Sequence, residues 1–174
     1  GGEVKGAAER VEALTAADPR QSPAWSLLAL ARIMLGQKTG ALQAAGRALE
    51  ADPRSANALI VKGYAHQAAF DLDGALDATQ KLLTLYPDHP FGLVNLARLQ
   101  FGRDETEEAF RTIQRARTAA PESGEVHTLL GFIELARLNT EEAAEAFAAA
   151  VRLDPSLGEP HLGLGLAAMR RGET

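Results

Sequence analysis

Five prolines of this chain, Pro19, Pro53, Pro87, Pro121 and Pro155, are spaced by 34 residues. Proline makes up roughly 5% of ordinary sequence, so four further hits in one register have chance odds of about 10⁻⁵. Two other series share the interval: Ala7, Ala41, Ala75, Ala109 and Ala143 form one, and Ala29, Gly63, Ala97, Gly131 and Gly165, always Ala or Gly, form the second. Even the wording recurs, Asp18-Pro19-Arg20 returning as Asp52-Pro53-Arg54. Any fold of this chain has to place an equivalent stop and equivalent small-residue contacts at every period.

Within each period the apolar spacing is helical. Trp25, Leu28, Ala29 and Ile33 follow three- and four-residue steps until Gly36 interrupts, and the pattern resumes with Leu42, Ala45, Ala48 and Leu49. No window alternates strictly between hairpin turn signals, so no strand is expected. Each period predicts two amphipathic helices. The recurring prolines fall one or two residues past the second helix, where a fixed φ and a missing N–H prevent another turn. Pro23, Pro90 and Pro160 fall in the first turn of first helices, where the N–H has no partner in any case. The Ala/Gly series is expected where helix axes approach closer than the usual spacing of about 8–10 Å, with Leu96, Leu130, Ile113 and Phe147 filling the space around it.

The pattern resembles the tetratricopeptide repeat (TPR), a 34-residue helix–turn–helix unit with the signature aromatic or Leu, Leu, small, then Ala, aromatic or apolar, Ala, and a closing Pro. One period reads Trp25, Leu28, Ala29, Ala41, Ala45, Ala48, Pro53; another reads His127, Leu130, Gly131, Ala143, Phe147, Ala150, Pro155. The chain departs from the signature three residues after the small position, where Arg32, His66, Gln100, Glu134 and Ala168 replace a large aromatic. It departs again at Lys62, in a slot that is normally Leu. The resemblance implies an all-α fold, an α-solenoid of antiparallel helix pairs (the TPR superhelix) with about ten helices, each repeat contacting mainly its neighbours. Residues 1–174 would form a single array: complete repeats at 22–55, 56–89, 90–123 and 124–157, a second helix of a truncated repeat at 2–21, and a first helix at 158–174.

For function, the resemblance implies a non-catalytic protein–protein interaction scaffold that binds a peptide or helix of a protein partner in an apolar concave groove lined by first helices. Helical geometry and the family analogy place Leu30, Ile33, Met34, Asn57, Ile60, Tyr64, Gln67, Val94, Arg98, Phe101, Thr128, Phe132 and Leu135 on that groove. A clamp of Lys, Asn and Arg around a terminal carboxylate, as in chaperone-docking members, is matched only by Asn95 and Arg98, and the apolar lining fits a helix-in-groove mode better. The alternative is a structural spacer or self-assembly element of a larger bacterial protein; similar arrays occur in the bacterial cytoplasm and in envelope proteins of secretion or export, so the compartment stays open. The half repeats at the two ends would leave Ala7, Val11 and Leu14 uncovered on one helix and Leu164, Gly165 and Ala168 on the other. Head-to-tail self-association through the Val11 and Leu164 faces is therefore expected as a product of truncation.

Composition and motifs narrow the remaining classes. A net charge of −5 argues against a nucleic-acid partner, and the absence of cysteine removes disulfides and cysteine-ligated metal. No apolar stretch is long enough for membrane insertion, and the first ten residues lack a signal-peptide pattern. No enzyme chemistry, cofactor or metal is expected. Residues 163–168 read Gly-x-Gly-x-x-Ala, but a dinucleotide site needs a strand before it, and this one falls in a helix. Residues 71–74, Asp-Leu-Asp-Gly, echo a calcium loop but lack its closing Glu and fall at a turn. His127 and His161 occupy equivalent places one period apart, about 10 Å by helix spacing, too far to share zinc, and are expected to pack; His66 and His89 belong to other faces. The pairs Glu107–Glu108 and Glu141–Glu142 suit the start of second helices, and the single serines suit N-caps.

Overall fold

The computed structural model describes residues 2–173; Gly1 and Thr174, the ends of the expected 1–174 array, lie outside the described residues. Ten helices and no strand are found among the described residues: α1 Gly2–Ala17, α2 Ser22–Met34, α3 Lys38–Ala51, α4 Ala56–Ala68, α5 Leu72–Leu85, α6 Pro90–Phe101, α7 Thr106–Ala119, α8 Gly124–Ala136, α9 Thr140–Leu153 and α10 Gly158–Arg170. The chain is an all-α solenoid of helix pairs. It divides into two compact units, one ending at Pro87 and the other beginning at Asp88. In the first unit α2 packs on α3 and α4 on α5, with α1 on α2, α3 on α4 and α2 beside α4. In the second, α6 packs on α7 and α8 on α9; α7 also meets α8, α9 meets α10, and α8 touches both α6 and α10.

The repeated Asp-Pro dipeptide ends a second helix by a compact device. Asp52 and Asp154 are C-caps in extended backbone, the region into which a following proline forces its predecessor. Their carboxylates then accept the N–H two residues on: Arg20 donates to Asp18 at 3.1 Å, Arg54 to Asp52 at 3.0 Å and Ser156 to Asp154 at 3.0 Å. The signature aromatic position reinforces the same turn. Trp25 Nε1 donates to the Pro19 carbonyl at 2.9 Å, and Nε2 of His127 lies 2.8 Å from the Pro121 carbonyl. His127 is thus a hydrogen-bonded staple, whereas the His161 side chain is exposed, which corrects the expectation that both are packing residues.

First helices end differently. Positive φ recurs at Gly36, Phe70, Asp104, Leu138 and Gly172, again one period apart. This is the left-handed residue that lets a chain leave a helix and reverse, and only two of the five are glycine. After the first four of these residues the next helix starts two residues later, and at α5 the Asp71 side chain caps it by accepting from the Gly74 N–H at 2.9 Å. Ser55 and Ser123 cap α4 and α8 in the same manner.

Where the family signature has an aromatic ring, polar side chains fasten four first helices, α2, α4, α6 and α8, to the turn or second helix of the same pair. Arg32 Nη1 donates to the Gly40 carbonyl at 3.1 Å; His66 Nδ1 lies 2.8 Å from Asp71 Oδ2. Gln100 Oε1 accepts from Thr112 Oγ1 at 2.8 Å, and the buried Glu134 accepts from Arg137 Nη1 at 2.9 Å and Asn139 Nδ2 at 2.8 Å. Arg137 also donates to Glu107 at 2.9 Å and lies 3.7 Å over the Phe110 ring. Glu107 therefore ties α7 to the end of α8, a role beyond its favourable place in the first turn of α7. Its hydrogen bond, followed by that of Glu134, raises the Arg137 pKa.

The small series works through matched sizes. Phe147, fully buried on α9, is met by Gly131 of α8 and Gly163 of α10; a Cβ on Gly131 would stand 2.6 Å from the ring, and one on Gly163 would also collide with it. The ring packs edge-on against Phe132 with centroids 4.9 Å apart. On α3 the equivalent residue is Ala45, and its neighbours are correspondingly larger, Ala29 and Val61. Val11 falls in the same register on α1. It is only 8% exposed, packed in a cluster with Leu28, Ala29 and Ala45, so the expectation of a Val11 face open to a second molecule is wrong: that position points at α2. Leu164 is half-buried against the Phe147 cluster. The open apolar residue of α1 is Leu14.

Candidate protein-binding groove

In the first unit, Leu30 and Met34 are exposed along α2, with Leu27 joining them one turn earlier, while Ile33 turns inward onto the Val11–Leu28 cluster. Beside them on α4, Asn57 is exposed and Ile60, Tyr64 and Gln67 are half-buried. In the second unit Arg98 is exposed and Phe101 and Phe132 are half-buried.

Three expected groove residues are corrected. Val94, Thr128 and Leu135 are buried, so they are not free surface. Thr128 spends its hydroxyl on the Gly124 carbonyl at 2.8 Å, inside its own helix. Leu135 belongs to the cluster around Phe147, and the Leu135 carbonyl accepts from Arg170 Nη1 at 2.5 Å. Because α8 is flanked directly by α6 and α10, side chains at those seams are covered by the neighbouring helix.

Arg98, Thr128 and Phe132 nonetheless come together at a cleft of about 490 Å³ in the second unit. Thr128, Leu129 and Phe132 line it, the turn Ser156–Gly158 closes one side, and Glu125 and Glu159 stand at its polar edge. Arg98 Nη2 is 2.6 Å from Glu125 Oε1. The guanidinium already has its carboxylate, and Asn95 is buried, so the two residues that resemble a carboxylate clamp are not disposed to act as one. The free charge at the cleft is acidic.

Besides Leu27, exposed apolar residues that the sequence reading missed are on α10. Leu162, Leu166 and Met169 are 63%, 39% and 74% exposed and stand one period after Thr128, Phe132 and Leu135. That register was the available signal. Their spacing of four and three residues puts them on one helix face, and Gly165 beside them is exposed as well.

The other motifs resolve into structure. Residues 163–168 lie within α10, and Asp71 of the Asp-Leu-Asp-Gly segment is a helix cap. Among the described residues no group of three or more His, Asp or Glu side chains gathers to hold a metal, and no helix is long and apolar enough to cross a membrane.

The sequence profile of the tetratricopeptide repeat matches residues 28–90 and, in a second form, residues 66–131. No curated protein matches the chain. Among solved structures, a thermophilic TPR protein from Thermus thermophilus is 18% identical, with TM-score 0.81 over 97% of this chain and 92% of that one. A fragment of MamA from Desulfovibrio magneticus is 21% identical, with TM-score 0.74 over 90% of this chain and 87% of that one. PilF from Pseudomonas aeruginosa is 24% identical, with TM-score 0.80 over 87% and 69%. At these identities the likeness concerns the fold. With the two profile matches running together from residue 28 to residue 131, and with helix pairs set to a 34-residue register of Pro, Ala and small residues, the chain belongs to the tetratricopeptide repeat family.

Proposed function

We propose that the chain is a non-catalytic binding module that docks the apolar face of a partner protein's helix or extended segment along its first helices. TPR repeats generally mediate protein–protein interaction or scaffolding. The finer reading rests on one observation, the exposed stripe Leu162, Leu166 and Met169 on α10, whose first two residues share the register of Thr128 and Phe132 in the lining of the Arg98–Phe132 cleft. An apolar stripe of this spacing accepts a partner's residues at i, i+3/i+4 and i+7. Glu159 at the cleft edge, unlike Glu125, which is paired with Arg98, favours a partner whose apolar face is flanked by Lys or Arg. On this reading the repeats run 22–55, 56–89, 90–123 and 124–157, and Leu30, Met34, Ile60 and Tyr64 offer a further stretch in the first unit.

A photo-crosslinking amino acid at Leu166 tests the proposal, with one at the exposed Arg117 on α7 as the comparison. The partner segment should crosslink from Leu166 and not from Arg117. Its affinity should then fall by at least about tenfold, or 1.4 kcal/mol, for a Leu162→Glu, Leu166→Glu variant with unchanged helical circular dichroism. Crosslinking from Arg117 alone, or equal affinity for the variant, contradicts the reading.

A further inference from the structure

We infer that the first unit carries a second binding site, for a small amphiphilic carboxylate, on the face of α4 turned away from the groove. A cleft of about 390 Å³ lies between α3, α4 and α5, walled by Leu49, Pro53, Leu59 and Leu85, with Lys62 and Lys81 as its charged members. At roughly 100° per residue, Leu59 and Lys62 are directed away from Ile60 and Tyr64, so this cleft is separate from the groove positions and does not depend on them.

Lys62 carries the argument. Every equivalent position one period apart holds leucine, Leu28, Leu96, Leu130 and Leu164, and Leu28 and Leu130 are buried core. An ammonium adds nothing to such packing. Lys62 is half-buried and has no ion-pair or hydrogen-bond partner among the described residues. Lys81 is paired, its Nζ 2.7 Å from Asp77 Oδ2. The lining contains no carboxylate, in a protein whose net charge is −5.

A lysine in an apolar slot lays its methylenes along the wall and brings its charge to the mouth. The result is an apolar recess with one unneutralised cation at its rim. The complement is an apolar tail bearing one anionic group, whose charge-assisted hydrogen bond to Lys62 fixes its orientation. The volume lies within the range of about 300–1,000 Å³ that small-molecule sites occupy. Three helices, whose interior N–H groups are already used, offer an extended peptide no row of backbone partners, which favours a small molecule as the occupant.

Decanoate, kept below its micelle concentration and titrated into the ¹⁵N-labelled chain, is the probe. Amides of residues 59–62 and 81–85 should shift saturably. Lys62→Leu, which installs the residue found at the four equivalent positions, should keep the thermal transition and weaken binding by at least about tenfold, the scale of a hydrogen bond to a charged group. Decyltrimethylammonium, with the same tail and opposite charge, should not compete. The inference is overturned if decanoate shifts no residue in these segments, a result that needs no variant. It is equally overturned if Lys62→Leu binds as well as the parent, or if the cationic amphiphile binds equally, which is plain hydrophobic adhesion. An acetylated, amidated Leu/Glu peptide that shifts the same amides where decanoate does not would assign the cleft to a protein partner instead.

Discussion

Replacing Leu138 by glycine should stabilise the protein, although it deletes a leucine. Leu138 has φ 66°, a conformation that costs an L-residue roughly 1–2 kcal/mol. Its side chain is 77% exposed, so little burial is lost. Glycine loses about 0.5–1 kcal/mol more than alanine in chain entropy on folding. The difference leaves a gain of about 0.5–1 kcal/mol, or a rise in Tm of about 1–4 °C for a chain of this size. Leu138→Ala keeps the Cβ and the strain, and should bring no such gain. Phe70 supplies an internal control: it shares the conformation, with φ 61°, but Lys38 Nζ sits 4.3 Å over its ring, a contact worth about 0.5–1 kcal/mol at an exposed site. Phe70→Gly should therefore be near neutral, and become stabilising once Lys38→Ala has removed the contact. Calorimetry of the parent and these variants decides the matter: a Leu138→Gly Tm equal to or below that of Leu138→Ala would show that the left-handed series is unstrained.

Two further outcomes rest on the described contacts. Gly163→Ala drives a Cβ into the Phe147 ring and should cost about 1–3 kcal/mol; Phe147→Leu in the same chain should recover most of that loss, read by urea unfolding as a double-mutant cycle, and simple additivity would refute the steric account. Acid should also weaken the turns. Asp154 is held below the usual carboxylate range by the Ser156 hydroxyl and then its N–H, Asp18 by the Arg20 N–H and then Gln21, and Asp71 by the Gly74 N–H and then His66. A lowered folded pKa contributes stability above the unfolded value near 3.9 and loses it as pH falls through the folded one. Tm should fall below about pH 4, and Asp154→Asn should flatten that fall.

Prolines and small residues made the helix pairs legible because backbone stops and close approaches tolerate few residue types. Pro19 through Pro155 could serve no other purpose at that spacing, and each does stand two residues past a second helix. The left-handed series was hidden for the opposite reason: Phe70, Asp104 and Leu138 do not advertise a positive φ, which the surrounding turn imposes on them. The slot of Arg32, His66, Gln100 and Glu134 read as a departure from the family because its logic is polar, and its partners, Gly40, Asp71, Thr112 and Asn139, change from period to period. Among the expected groove residues, register could not tell that Val94 and Leu135 are buried, because that depends on what packs against each helix. The same register, carried one period further, would have reached Leu162, Leu166 and Met169.

The matched sizes at the helix interfaces bear on modularity. To the eye of a register, one helix pair of this chain could stand in for another. The interiors say otherwise: Phe147 requires a glycine both behind it and ahead of it, while Ala45 is complemented by Ala29 and Val61. Transplanting the α2–α3 pair to precede α10 would set Ala45 against Gly163 and leave a void, and moving the α8–α9 pair in front of α4 would thrust a phenylalanine at Val61. Void and clash each destabilise by kilocalories. The order of the pairs is thus written into the chain as a sequence of keys and keyways, and duplication, deletion or shuffling of one pair succeeds only when the residues facing it change at the same time.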